Sequence, residues 1–94
     1  MEIFERFLIP GRVEGESGLG DLPRIKITGG QAHCRVYLMG AHVASFLPDG
    51  VSDLLWMSPY SDYDLGIPMR GGIPLCFPWF GPHRSRPDLP LHGF

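Results

Sequence analysis

The sequence has little cysteine, little net charge and no long apolar run. Two cysteines, Cys34 and Cys76, are too few for a disulfide framework. No Cys-x-x-Cys or His-x-x-x-His spacing supports a metal site, so we predict none. We interpret both cysteines as buried free thiols, with a redox pair or metal ligands as the alternative. With a net charge of −2 the chain offers no electrostatic attraction to nucleic acid or to an anionic membrane.

The length and composition allow one small globular domain. The chain has 94 residues, of which 44% are hydrophobic and 19% charged, as in folded rather than disordered proteins. No apolar stretch approaches the about 20 residues of a membrane-spanning helix. The first ten residues contain Glu2 and Glu5 and lack the basic start of a signal peptide, so we expect a cytoplasmic protein.

Alternating polar and apolar residues predict a β-hairpin in the first half of the chain. Segments 24–28 and 31–38 both alternate, and Gly29-Gly30 between them predicts a two-residue turn with positive φ. Opposed residues in such a hairpin share a face, so the apolar residues of the two strands fall on one side. The predicted register sets Ile27 opposite Ala32, Ile25 opposite Cys34, and Arg24 near Arg35.

The other segments of the first half extend this hairpin into a β meander. Residues 42–47 and 53–57 are predicted strands, separated by a turn at Pro48-Asp49-Gly50. Residues 2–8 fit either a short amphipathic helix or a β segment, and residues 12–21 are polar and glycine-rich, which predicts a loop. Strands about every ten residues predict an all-β, antiparallel sandwich or barrel.

The second half of the chain is dense in proline. Seven prolines follow Ser58, and they break any regular ladder. Phe77, Trp79 and Phe80 are interleaved with them. We predict an ordered irregular loop held by its aromatic side chains, a type of loop that often carries function.

Arg70-Gly71-Gly72-Ile73-Pro74 is the first candidate site in this region. An arginine beside two glycines combines a bidentate cation with backbone that a ligand can approach closely. Phosphate or carboxylate is the natural partner of such a group. The alternative is an ordinary surface arginine near a turn.

The remaining candidates are weaker. His83, Arg84 and Arg86 form a basic cluster that is either a solvated loop or a second anion contact, and His92 is either a packed side chain or a donor to a sugar hydroxyl. Four aromatic residues are either core residues or a platform for a sugar ring: Trp56, Phe77, Trp79 and Phe80. We do not expect Asp62 and Asp64 to form a glycosidase pair. We interpret His33 and His42 as structural, because neither has an acidic partner in register.

Four stretches together resemble a known family. They are GAHVASF at 40–46, LLWMS at 54–58, PMRGGIPLCFPWFGP at 68–82 and HGF at 92–94. In this order they resemble the hexose-6-phosphate mutarotase branch of the aldose 1-epimerase superfamily. The long Arg-Gly-Gly-Ile-Pro stretch is the most specific part, and before Gly40 the resemblance is only to the general pattern of leading strands.

The resemblance implies a fold and a set of roles. The fold is a galactose-mutarotase-like supersandwich, an antiparallel β-sandwich of which residues 1–94 are the N-terminal part of a single domain. Arg70 and His92 are the implied substrate-binding residues. The family's catalytic acid histidine and base glutamate lie after Phe94, as does a second phosphate-binding arginine, so no catalytic residue is expected within the chain. Leu91 stands where some relatives have glutamine, which removes a hydrogen-bonding side chain there.

The resemblance also implies an activity. We expect an isomerase that interconverts the α and β anomers of a hexose 6-phosphate, without metal or cofactor, with the chain itself inactive and a sugar phosphate as its partner. The alternative is a non-catalytic carbohydrate-binding β-sandwich module. A further possibility is that a second chain completes the sheet, because an isolated piece leaves strand edges open.

Overall fold

The structure, a computed structural model, describes residues 2–76 and 79–89. Four strands form one antiparallel sheet in which each strand pairs with its neighbour along the chain. Within the described ranges no α-helix occurs, and no helix is long and apolar enough to cross a membrane. The strands are β1 (Val13–Ser17), β2 (Pro23–Thr28), β3 (Ala32–Tyr37) and β4 (His42–Pro48).

Three short 3₁₀ helices accompany the sheet, spanning Glu2–Phe7, Leu19–Asp21 and Met39–Ala41. The first of them shows that residues 2–8, which fitted either a helix or a β segment, contain a short helix. The predicted antiparallel meander is confirmed, as are the strand that begins at His42 and the turn at Pro48-Asp49-Gly50, where Gly50 has a φ of 79°.

The β2–β3 hairpin forms with a register two residues from the predicted one. Ile27 pairs with Cys34 and Ile25 with Val36, because the two-residue loop is Gly30-Gln31 rather than Gly29-Gly30. Gly29 donates its N–H to the carbonyl of Ala32 at 2.8 Å, and neither glycine has positive φ. The prediction of the turn was therefore wrong in detail. Since a shift of two residues preserves the side-chain face, the apolar residues still coincide.

The prediction of a loop at residues 12–21 was wrong, because β1 lies within it. Val13 is the one apolar residue of this strand, so no alternation marks it in the sequence. It is stabilised by backbone pairing with β2 and by an ion pair between Glu16 and Arg24, which face each other across the ladder. Arg35 of β3, predicted to lie near Arg24, is instead opposite Lys26.

The predicted strand at 53–57 does not form either. Asp53 uses its side chain where a strand would use its backbone: its carboxylate accepts the N–H groups of Phe46 at 3.1 Å and Leu55 at 2.9 Å. Leu54 donates to the Phe46 carbonyl at 3.0 Å, and Met57 forms an isolated bridge with Gly71. The segment runs beside β4 without becoming a regular strand.

The two faces of the sheet differ in how well they are covered. Residues that pair across the ladders share a face, and one of these sets is almost entirely apolar. None of its members is fully buried, and Ile27 and Phe46 remain 39% and 41% exposed. We call this set the apolar face; it consists of Val13, Ile25, Ile27, Cys34, Val36 and Phe46.

The small core lies on the opposite face, at one end of the sheet. Tyr37 is 1% exposed and packs with Leu22 and Met69. Its hydroxyl accepts hydrogen bonds from the Leu19 N–H at 3.1 Å and from Arg24 Nη1 at 3.2 Å. The core therefore joins β3 to the loop before β2 and to the proline-rich half of the chain, close to the Arg-Gly-Gly motif.

Candidate functional site

The Arg-Gly-Gly motif lies in a short segment, Arg70–Ile73, that we call the Arg70 loop. On one side it pairs with the start of β4: Val43 and Ile73 exchange two backbone hydrogen bonds of 3.0 and 2.9 Å. On the other side Gly72 donates to the Trp56 carbonyl at 2.8 Å. The loop is thus clamped between a strand and the 56–58 segment, although its own sequence contains no strand pattern.

The backbone of Arg70 is held on both of its polar groups. Its N–H donates to Ser61 Oγ at 3.0 Å, and its carbonyl accepts from the Ser58 N–H at 2.8 Å. A side chain that leaves a fully bonded backbone starts from a fixed point. This lowers the conformational freedom that the side chain would lose when it binds a ligand.

The two glycines serve a purpose other than the one expected from the sequence. Gly71 and Gly72 have φ of 114° and 64°, in the region that disfavours side chains. A Cβ on Gly71 would lie 2.3 Å from the Trp56 carbonyl oxygen, and one on Gly72 would lie 2.3 Å from that of Val43. The space on the Cβ side of each glycine is therefore filled by protein backbone, so these glycines are needed for the docking of the loop whether or not a ligand also approaches them.

The guanidinium of Arg70 is exposed and available. With residues 2–76 and 79–89 the guanidinium makes no hydrogen bond or ion pair, and Arg70 is exposed to solvent. An open cavity of about 320 Å³ lies elsewhere, against β1, and is lined by Leu8, Pro10, Val13, Glu14 and Gly15. Arg70 is not one of its lining residues, so this cavity is not the predicted site.

His42 is the buried side chain that contacts the Arg70 loop. It is 3% exposed, and its Nε2 lies 2.6 Å from the carbonyl oxygen of Gly71. Nε2 must carry a proton to donate to this carbonyl, which fixes the tautomer of a neutral ring. Sequence reasoning treated His42 as structural and missed the contact, because 29 positions separate the partners.

Trp56 is brought next to the Arg70 loop by its backbone bond to Gly72. Its side chain is 68% exposed, so it is not a core residue. Phe80 is also exposed, at 82%, whereas Trp79 packs edge-on against the His83 ring with centroids 4.6 Å apart. An exposed indole on the segment that pairs with the Arg70 loop offers an apolar surface for the C–H face of a sugar, and the exposed guanidinium offers a charge for an anion.

The basic cluster does not leave all of its cations free. Arg86 makes a bidentate ion pair with Asp88, with N···O distances of 3.0 and 2.8 Å. This pair lowers the pKa of Asp88 and raises that of Arg86. His83 Nδ1 accepts from the Arg86 N–H at 2.9 Å, which folds the loop on itself. Arg84 is exposed, and the described residues include no partner for it.

His92, Leu91 and Phe77 lie outside the described residues. The role of His92 as a substrate-binding residue therefore stays a prediction, and so does that of Arg70. Asp62 and Asp64 are both exposed. In the described ranges no group of three histidine, cysteine or acidic residues could hold a metal ion.

Two smaller expectations need correction. His33 does have an acidic neighbour, since its Nε2 lies 3.9 Å from Asp49 Oδ1. Cys34 and Cys76 are free thiols, but both are only partly buried. Burial and the nearby Asp53 carboxylate raise the pKa of Cys34, so this thiol is a poor nucleophile at neutral pH.

A charged cluster on β1–β3 was also missed by sequence reasoning. Glu16 pairs with Arg24 and lies 3.5 Å from Arg35 Nε, which has no hydrogen-bond partner otherwise. Burial lowers the pKa of Arg24, but its bonds to Glu16 and Tyr37 outweigh this effect and raise it overall. The available signal was the charge pattern across the ladders, which becomes visible once β1 is recognised as a strand.

Comparison with known proteins identifies the family of the chain. The family model described as aldose 1-epimerase matches residues 23–94, which contain β2 to β4 and the Arg70 loop. The chain belongs to the aldose 1-epimerase family.

Individual relatives point to one branch of the family. A provisionally named glucose-6-phosphate 1-epimerase of Salmonella typhimurium is 41% identical over 76 residues, which cover 81% of this chain and 26% of the relative. A protein of Escherichia coli with the same provisional name is 40% identical over the same share of the chain. The chain spans about a quarter of the length of these curated relatives.

A solved structure supports the fold. The crystal structure of a provisionally named mutarotase from Salmonella typhimurium matches the whole chain and 33% of its own, with a TM-score of 0.72 and 35% identity. The expected antiparallel all-β fold of the mutarotases is thereby confirmed for this chain.

Proposed function

We propose that this chain is the N-terminal, substrate-binding part of an isomerase that interconverts the α and β anomers of a hexose 6-phosphate. Family membership and the names of the relatives support the reaction class. The observation that carries the substrate is the guanidinium of Arg70, which is exposed, has no partner among residues 2–76 and 79–89, and belongs to a residue whose backbone is bonded on both sides. A planar guanidinium suits the bidentate recognition of a phosphoryl group.

We propose that the acid and the base of the reaction lie outside this chain. Mutarotation requires a base that removes the proton of the anomeric hydroxyl and an acid that protonates the ring oxygen. The ring opens, the carbonyl rotates and the ring closes on its other face. We place the acid histidine and the base glutamate in the part of the enzyme that follows Phe94. The role of Arg70, joined by His92, is to bind the substrate through a group remote from the reacting carbon.

We further propose that residues 1–94 are the N-terminal part of a single β-sandwich domain, whose second layer packs on the apolar face. The exposed Ile27 and Phe46 support this proposal, as does the 26% share of the relatives' length. A second chain that carries the remaining part would complete the sheet. Co-expression of this chain with a Salmonella relative that lacks the matched segment should give a stable complex, whereas recovery of two separate proteins would contradict the proposal.

A chimera tests the activity. In it this chain replaces the matched segment of the Salmonella relative, and the rate at which freshly dissolved α-glucose 6-phosphate reaches equilibrium is followed by NMR. We expect a rate well above that of the uncatalysed reaction. Arg70→Ala should raise KM by about 10- to 100-fold, since a charge-assisted hydrogen-bonded pair is removed.

Arg84→Ala is the matched control, because Arg84 is also exposed and unpaired among the described residues but lies outside the Arg70 loop. We expect its KM to stay within about twofold of the parent value. A chimera that folds but does not exceed the uncatalysed rate would reject the proposed reaction. An Arg70→Ala chimera with unchanged KM would reject the role of Arg70 alone.

The second candidate is a carbohydrate-binding module without catalysis. The exposed Trp56 beside the Arg70 loop favours it, because an indole binds a sugar face without any acid or base. Titration of the chimera with glucose and glucose 6-phosphate separates the two functions. Binding that saturates without acceleration of mutarotation would favour the module.

We propose the cytoplasm as the site of action. The free thiols of Cys34 and Cys76 support a reducing compartment. Fractionation of source cells with an antibody against this chain tests the proposal, and recovery in the secreted fraction would contradict it.

A further inference from the structure

His42 occupies a position that its hydrogen bond to Gly71 does not by itself explain. It is the first residue of β4, pairs with Tyr37 of β3, and lies on the sheet face that carries the core. A buried imidazole needs a polar partner, and this one finds it in the Arg70 loop rather than in the sheet. The contact therefore ties the folded core to the loop that presents the guanidinium.

The contact acts on the peptide group next to Arg70. The carbonyl of Gly71 accepts from His42 Nε2 at 2.6 Å, while the carbonyl of Arg70 accepts from Ser58 at 2.8 Å. The C=O of the peptide between residues 71 and 72 is thus held from the β4 side, while the N–H of the same peptide donates to the Trp56 carbonyl at 2.8 Å. The preceding carbonyl is held from the other side.

The His42 ring packs closely against Gly72. A Cβ on Gly72 would lie 2.9 Å from His42 Nε2, so the ring and the glycine fill adjacent space without a gap for a side chain. With φ of 114° and 64° at Gly71 and Gly72, the loop has many other conformations open to it when unrestrained. The imidazole is one of the contacts that restrict it, together with the backbone bonds of Gly72 to Trp56 and of Ile73 to Val43.

We propose that His42 is a positioning residue for substrate binding, which acts on the phosphoryl group through the Gly71 carbonyl and the backbone of Arg70. This inference rests on the proposed function of Arg70. His42 itself need not touch the substrate. Its effect is to keep the guanidinium where a phosphoryl group can be bound, and its loss should therefore appear in the affinity for the sugar phosphate rather than in the proton-transfer steps.

A double-mutant cycle in the chimera tests the proposal. His42→Leu removes the donor and should raise KM for glucose 6-phosphate about tenfold, with kcat within about twofold of the parent. His42→Gln places an amide N–H near the position of Nε2 and should restore most of the affinity. In an Arg70→Ala background, His42→Leu should have almost no further effect on KM, because residues that act through one another are not additive.

Two controls separate this role from a general loss of folding. His33→Leu removes a histidine of β3 that does not contact the Arg70 loop and should leave KM unchanged. Far-UV circular dichroism and active-site-independent thermal melting report the folded fraction of each variant. A merely structural role would lower kcat and the folded fraction together and leave KM unchanged.

The outcomes distinguish the inference from the function on which it rests. If Arg70→Ala leaves KM unchanged, the proposed role of Arg70 fails first. If Arg70→Ala raises KM but His42→Leu does not, or if the two effects simply add, the positioning role of His42 is overturned and the role of Arg70 remains.

Discussion

At the scale of single residues, Gly72 shows how a motif that resembles a ligand-binding turn is shaped by protein neighbours. Its positive φ and the 2.3 Å approach of the Val43 carbonyl oxygen to an added Cβ leave no room for a side chain. The glycine is therefore required by the docking of the Arg70 loop on β4. The exposed side chain of Arg70 is then the group of this motif that we propose binds the ligand.

Gly72→Ala should destabilise the protein by about 3 kcal/mol or more, because it adds a steric clash to about 1–2 kcal/mol of left-handed backbone strain. Urea unfolding of the chimera measures the change. Gly50→Ala is the matched control, since Gly50 also has positive φ, 79°, but an added Cβ meets nothing within 4 Å. It should lose only the strain contribution, and equal losses for the two variants would contradict the clash.

Asp53 gives the protein a defined response to acid. Its hydrogen bonds from Ser45 and from the N–H groups of Leu55 and Phe46 lower the pKa of the carboxyl below its ordinary value of 3.8, and Arg35 adds to this effect. Because the folded pKa is lowered, the stabilisation is present above the ordinary pKa. It is lost as the pH falls through the folded one.

We expect Asp53→Asn to lower the unfolding midpoint at pH 6 and to have a progressively smaller effect as the pH falls below the ordinary pKa of 3.8 and the parent carboxylate also becomes protonated. Thermal unfolding of the chimera across pH 2–7 tests this. Asp62→Asn, which changes an exposed aspartate without these bonds, should give a curve parallel to that of the parent. A pH-independent difference between Asp53→Asn and the parent would refute the explanation.

At the scale of elements, the Tyr37 hydroxyl links three parts of the fold. It accepts from Leu19 in the second 3₁₀ helix and from Arg24 in β2, while its ring lies in β3 and contacts Tyr63 with centroids 5.9 Å apart. A Cβ added to Gly18 would meet the ring at 2.5 Å. The connection between β1 and β2 thus packs against the Tyr37 ring and hydrogen-bonds to its hydroxyl.

Tyr37→Phe should cost about 1–3 kcal/mol, because it leaves the Leu19 N–H and one nitrogen of Arg24 without their acceptor in a partly buried site. Amide hydrogen exchange should show the largest loss of protection at Leu19 and in β1. Tyr60→Phe removes the hydroxyl of a tyrosine that is 81% exposed and should change neither measurement. A Tyr37→Phe variant with unchanged exchange at Leu19 would show that the link is dispensable.

At the scale of the whole molecule, the apolar face is the dominant feature. One face of the four-stranded sheet packs a small core around Tyr37, and the other presents aliphatic and aromatic side chains without a covering layer in the described ranges. Exposed apolar surface of this kind marks an interface. The chain matches 33% of the solved mutarotase structure, so two thirds of that protein lies outside the matched part.

The chain by itself should bind the dye 1-anilinonaphthalene-8-sulfonate, and the chimera should bind much less of it, because the second layer covers the apolar face. The double variant Ile27→Thr, Phe46→Thr should reduce the dye fluorescence of the isolated chain. Lys26→Thr, a change on the opposite face of β2, should not. Equal fluorescence from the isolated chain and the chimera would show that the face is not covered in the larger protein.

The sequence by itself determined the antiparallel meander, the hairpin partners and the family. Alternation along β2 and β3 is a local signal, and it places Ile25, Ile27 and Cys34 on one face even though the predicted register was two residues off. The motif around Arg70 is contiguous in sequence, which is why it could be recognised without a structure.

Only the tertiary structure decided the rest, because those features depend on contacts between distant positions. β1 carries no alternation and forms through its pairing with β2, while residues 53–57 are an apolar run that the Asp53 side chain keeps from forming a regular strand. The contact of His42 with Gly71 spans 29 positions and follows from the docking of the Arg70 loop on β4. Local pattern records which face a residue prefers, but the partner it meets there is set by how the whole chain packs.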